Sequence, residues 1–192
     1  MCNHYRNTST IDGINQLVQT FNRPNYPAGD YFPKYPAPVL RRVDAGNELA
    51  IVPWGVPCVI QGKTKNITNV RNLTSNFWRS MLARPEWRCL VPATAFSEWT
   101  DEPDPIAGKR VEKWFEITDQ PTFFFAGLWR PTEEGERFAF LTTAPNSIVA
   151  PIHKKAMPVV LRPEDWEAWL SADYAGACAL AMQYPADRMR VL

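Results

Sequence analysis

Apolar residues at Ile11, Ile14, Leu17, Val18 and Phe21 recur at the spacing of one helical face, behind a Ser/Thr cluster at 8–10. That pattern predicts an amphipathic helix with an N-cap. Residues 23–38 (RPNYPAGDYFPKYPAP) are proline-rich and read as a loop. The runs V-L-R-R-V and L-A-I-V flank D-A-G-N and predict a β-hairpin. A short helix is expected over 75–83. Short apolar or alternating runs at 89–91, 114–117, 122–128, 137–142 and 158–161 predict strands. Pro163 then opens a final helix, with proline suitably in the first turn. Many short strands with few helices and no βαβ rhythm predict an α+β fold: a mainly antiparallel, barrel-like sheet with a few short helices. No repeat, low-complexity tract or linker divides residues 1–192, so a single domain is expected.

Composition adds limits. Hydrophobic residues make up 45% of the 192, enough for a real core. Eighteen prolines favour turns and extended segments over long helices. No apolar run reaches the roughly 18 residues of a membrane helix. The polar start, NHYRNTST, predicts no signal peptide and a cytoplasmic chain without membrane contact. Cys2, Cys58, Cys89 and Cys178 are widely spaced and only His4 and His153 are histidines, so neither a zinc site nor a disulfide framework is expected. Cys58, Cys89 and Cys178 lie among apolar residues and read as small buried hydrophobes. No cofactor is called for. Net charge is only +1, but residues 61–90 carry Lys63, Lys65, Arg71, Arg79, Arg84 and Arg88 against Glu86 alone. That segment could form a local basic face for a phosphate backbone, or be ordinary surface patchiness.

Cys2 is the most informative single position. Initiator methionine is trimmed before small residues, which would leave Cys2 with a free amine beside its thiol. Such an aminothiol condenses with aldehydes to a thiazolidine. Unperturbed, the amine titrates at about 7.7–8.0 and the thiol at about 8.5, so both have a nucleophilic fraction at neutral pH.

Four segments in order, M-C at the start, N-V-R-N-L-T (69–74), R-C-L-V-P-A-T-A-F-S-E-W (88–99) and T-T-A-P-N with I-H-K-K-A-M-P-V-V-L (142–161), resemble the SOS response-associated peptidase (SRAP) family. The resemblance implies a monomeric sensor of abasic sites in single-stranded DNA that crosslinks them through mature Cys2, near the nucleoid during DNA damage. It implies that Glu98 assists imine formation and reversal, and that His153 is a general acid. It implies that Asn69 orients the sugar or its aldehyde and that Arg71 holds phosphate. Independently, Glu98 lies between Phe96 and Trp99, and burial there would raise its pKa toward proton-shuttle range. Its alternative is a solvent-facing strand residue. For His153 the alternative is a structural donor, and for Asn69 and Arg71 it is loop capping.

Departures from the family pattern are informative. Leu73 replaces an acid, and Lys154 and Lys155, which could hold phosphate, stand where an acid followed by arginine is usual. Asn3 and His4 replace a glycine and a phosphate-binding arginine, a contact that histidine can replace only in part. Trp54 fits either a base-stacking platform or a core tryptophan. Two other function classes remain: an N-terminal-nucleophile (auto)peptidase, and a non-catalytic single-strand binder using Trp54 and Arg71.

Overall fold

The computed structural model describes residues 2–192. Strands take 41% of the chain and helices 18%, in antiparallel sheets that curl without closing into a barrel. The small sheet runs Met189–Val191, Glu112–Ile117, Ala95–Trp99, Tyr5–Asn7, Gly29–Tyr31. The large sheet runs Met157–Pro158, Gly135–Thr143, Phe123–Thr132, Arg88–Ala93, Pro36–Val43, Gly46–Pro53. Two short strands attach to it: Val160–Leu161 pairs with Phe123–Thr132, and Asn69–Val70 runs parallel to Gly135–Thr143.

The large sheet is buried on both faces, which explains its unbroken apolar runs. In Phe123-Phe124-Phe125 the side chains alternate. Phe123 and Phe125 join a core with Tyr5, Phe96, Phe115 and Phe140, shared with the small sheet. Phe124 points the other way, into a second core with Leu90, Trp78 and Trp169 from the helices. Gly127 is required by close approach, since a Cβ there would meet Cys89 Sγ at 2.7 Å and Val91 Cγ2 at 2.9 Å.

The expected hairpin forms in full, with Pro36–Val43 and Gly46–Pro53 paired in register. Ser75 caps the helix Asn76–Leu82, its side chain accepting from the Trp78 backbone N–H. The first helix is shorter than its apolar pattern. It spans Ile11–Leu17 behind the Thr10 cap, buries only Ile14, and leaves Phe21 exposed. The proline-rich loop contains an edge strand, Gly29–Tyr31. The helix opened by Pro163 (Trp166–Ser171 after a single 3₁₀ turn) is not the last, because Tyr174–Ala179 follows. Of the three non-terminal cysteines only Cys89 is fully buried, while Cys58 and Cys178 are partly exposed. Arg88 does not belong to any basic face. It is fully buried and donates to the Trp169 carbonyl at 2.7 Å and to that of Ala172, tying down the C-terminal helices. No helix among the described residues is long and apolar enough to cross a membrane.

Candidate active site

Tyr5–Asn7 is an inner strand of the small sheet, with Tyr5 opposite both Tyr31 and Phe96. Pairing on both sides fixes the path of the chain just before it, so Cys2 is a fully buried residue at the junction of the two sheets. Its Sγ lies 3.5 Å from the His4 carbonyl. Burial first, and the Glu98 carboxylate second, push the thiol pKa well above its ordinary value. The thiol of ordinary pKa expected at Cys2 is therefore corrected: burial holds the sulfur as S–H.

Asn69 is buried because parallel pairing sets it opposite Phe140. Its Nδ2 donates to the Cys2 carbonyl at 2.9 Å and to Thr68 Oγ1 at 2.8 Å. Its Oδ1 is buried and accepts no hydrogen bond among the described residues. Asn69 thus grips the backbone of Cys2 and keeps an acceptor in reserve.

Glu98 comes from Ala95–Trp99 and is 3% exposed, while the next residue, Trp99, is 54% exposed. Burial is the main cause that pushes the Glu98 carboxyl up to about 7. His153 is buried in a turned segment anchored by its own N–H to the Val149 carbonyl at 2.8 Å. Its Nε2 lies 3.6 Å from Glu98 Oε2 and its Nδ1 lies 3.3 Å from Asp101 Oδ1. The first distance is an electrostatic contact, longer than a hydrogen bond. Burial pushes the imidazole pKa below its usual value, so the ring is neutral at pH 7. Asp101 in turn accepts from the Lys154 backbone N–H at 2.8 Å, which holds its carboxyl below the usual range. A carboxyl–imidazole–carboxylate line therefore leads away from Cys2.

Cys2, Asn69, Glu98 and His153 converge. The residues expected to hold DNA are more scattered. Asn3 is exposed and its Oδ1 accepts from Thr68 Oγ1 at 3.2 Å. Arg71 and Lys154 are exposed, on either side of the site in sequence terms only. His4 is enclosed by acids: Nδ1 donates to Glu112 Oε1 at 2.6 Å, and Nε2 lies 3.4 Å from Asp30 Oδ2. Two carboxylates already meet this ring, which also lines a cavity beside Glu98. Trp54 is fully buried, stacked on Phe140 at 4.9 Å, with Nε1 donating to the Thr68 carbonyl at 2.9 Å. It is the core alternative that Trp54 follows. It offers no face to a base, and holds the Thr68 carbonyl just ahead of the strand that carries Asn69.

Sequence reasoning missed Asp101, Phe32 and Glu112. Asp101 was visible only as one of several acids after Trp99, and nothing local ties it to His153. A cavity of about 330 Å³ opens beside Glu98, between the half-exposed rings of Phe32 and Trp99. A larger one of about 570 Å³, by Trp87 and Trp129, contains none of the converging residues, so volume alone does not locate the chemistry.

The model of the SOS response associated peptidase (SRAP) family matches residues 1–192. This chain belongs to the SRAP family. Among curated relatives, a protein named abasic site processing protein YoqW, from Bacillus subtilis strain 168 and from Bacillus phage SPbeta, is 30% identical, over 98% of this chain and 90% of theirs. Among solved structures, a protein from Bordetella bronchiseptica superposes with a TM-score of 0.80 at 25% identity, covering 99% of this chain and 98% of that one. A protein from Bacteroides thetaiotaomicron gives 0.77 at 21% identity, over 99% and 90%, and shares the fold.

Proposed function

We propose that this SRAP protein captures abasic sites in single-stranded DNA by forming a thiazolidine on Cys2 after removal of Met1. The observation that carries the reading is the grip of Asn69 on the Cys2 carbonyl, with a buried Glu98 beside the thiol. The YoqW relatives, named for abasic-site processing, support the choice of substrate.

The freed Cys2 amine adds to the aldehyde of the ring-opened sugar, giving a carbinolamine. Loss of its hydroxyl as water leaves an imine. The sulfur adds to the carbon of the protonated imine while its proton passes to Glu98, closing a five-membered ring with a neutral ring N–H. One water is released, and nothing is oxidised or reduced. Glu98, with a pKa of about 7, is populated in both forms at neutral pH. It can therefore protonate the departing hydroxyl and then take the thiol proton. His153, neutral and oriented by Asp101, is a proton relay behind Glu98 rather than a permanently charged acid. Asn69 Oδ1 accepts a hydrogen bond from the amine or a sugar hydroxyl. Exposed Lys63, Lys65 and Arg71 supply the few phosphate contacts.

The test is a denaturing gel of Met1-free protein with a single strand carrying one abasic site. A stable shifted band that survives heating is expected, and it disappears in Cys2→Ala. Equal stable adduct from Cys2→Ala without reductant rules out the ring. Peptide turnover without adduct favours the peptidase reading instead.

A further inference from the structure

We infer that the cavity between Phe32 and Trp99 is a nucleobase subsite that selects amino-bearing neighbours of the lesion through Glu112. This rests on the DNA reading above. Two features of the cavity point to a base. Its rim consists of two aromatic rings that remain 43% and 54% exposed, Phe32 and Trp99. Aromatic faces of this kind stack bases without regard to sequence. Its wall is mostly apolar, with Glu112 at one side and Asp30 behind His4, so a phosphate is disfavoured. A planar, uncharged ring is the part of a nucleotide that remains.

Glu112 makes the subsite selective. Its Oε1 accepts from His4 Nδ1 and from Ser97 Oγ, both at 2.6 Å. Phe32 stacks on the far side of the His4 ring at 4.1 Å, so the arrangement is rigid. The other oxygen, Oε2, receives no hydrogen bond from the described residues. An ionised carboxylate only accepts. It pairs with an exocyclic amino group, as on cytosine, adenine or guanine. Thymine has no amino group and offers only its ring N3–H, set between two carbonyl oxygens that oppose the carboxylate. Glu98 in the same cavity wall adjoins Cys2, so the base bound here belongs to a nucleotide next to the captured sugar.

The test uses Met1-free protein and abasic single strands that differ only in the nucleotides flanking the lesion, with crosslinking rates taken below saturation. Strands flanked by dC should react about fivefold faster than strands flanked by dT. Glu112→Gln, which adds a donor to the same shape, should bring the ratio close to one. Trp99→Ala should slow all contexts alike. Equal rates for dC and dT in the wild type overturn the subsite and leave the crosslinking reading untouched. If no strand crosslinks, that reading fails, and lesion-free (dC)₁₀ and (dT)₁₀ measured by fluorescence anisotropy still decide the subsite. Tighter binding of (dC)₁₀, lost in Glu112→Gln, supports it, and equal affinity refutes it.

Discussion

Glu98→Gln should make the protein more stable and less active at the same time. The carboxyl is 3% exposed and its pKa rises from an ordinary 4.5 to about 7. At 1.36 kcal/mol per tenfold change, that rise corresponds to about 3 kcal/mol. The sign follows from proton counts. Between pH 4.5 and about 7 the folded chain holds a proton at Glu98 that the unfolded chain has released. Stability from this group is therefore complete below pH 4.5 and lost as pH rises through about 7. His153 acts oppositely: its lowered pKa makes stability rise as pH rises toward its ordinary value, so only the difference between variant and wild type isolates Glu98. Glutamine keeps the shape and carries no charge. At pH 8 the variant should gain up to about 3 kcal/mol, or about 6–12 °C in melting temperature for a chain of this length. At pH 4.5 the two proteins should be nearly equal. Urea titrations at pH 4.5, 6 and 8 read this directly, and the crosslinking rate should fall about 10²–10⁴-fold. A variant no more stable than wild type at pH 8, with a parallel pH profile, would mean that Glu98 is not held protonated by burial, and the proton-shuttle assignment would go with it.

Trp54→Ala should lower stability by about 3–5 kcal/mol, as for a large core residue. An unchanged melting curve with lost DNA binding would return Trp54 to the DNA surface. Asp101→Ala should slow crosslinking about tenfold in wild type but add nothing in a His153→Ala background, since the two act as one unit; additive losses in the double variant contradict the relay. Arg71→Ala should weaken non-covalent binding and reduce the salt slope by about 0.7, one phosphate on a single strand. An unaltered slope removes Arg71 from the interface.

What could be read in advance was local. The Ser75 cap, the hairpin turn and the proline-led helix are each specified within a few residues, and they formed near their expected positions. Glu98 was legible because its aromatic neighbours announce burial. The path of Tyr5–Asn7 was not. Y-R-N has no strand signal of its own and becomes a strand because partners from residues 29–31 and 95–96 close on it. Trp54 was ambiguous because alternation cannot say which face of a sheet is wet. Arg88 looked like surface charge, and only the packing of Trp166–Ser171 supplies the carbonyls that let it be buried. Asp101 meets His153 across 52 positions of chain, a pairing that neither segment encodes alone.

The pairing of Tyr5–Asn7 on both sides also sets a clock. The strand's partner Ala95–Trp99 is made about 90 residues after it. At about 5–20 residues per second, some 5–20 seconds pass before the sheet can close. During that interval the bond ahead of Cys2 is open to a methionine aminopeptidase, and afterwards Cys2 is buried. Maturation is therefore expected to belong to synthesis rather than to the finished protein. Purified chain that still carries Met1 should be trimmed far more slowly than a peptide of its first ten residues, a difference that intact mass measures directly. Similar trimming rates for both would show that the closed sheet is no barrier.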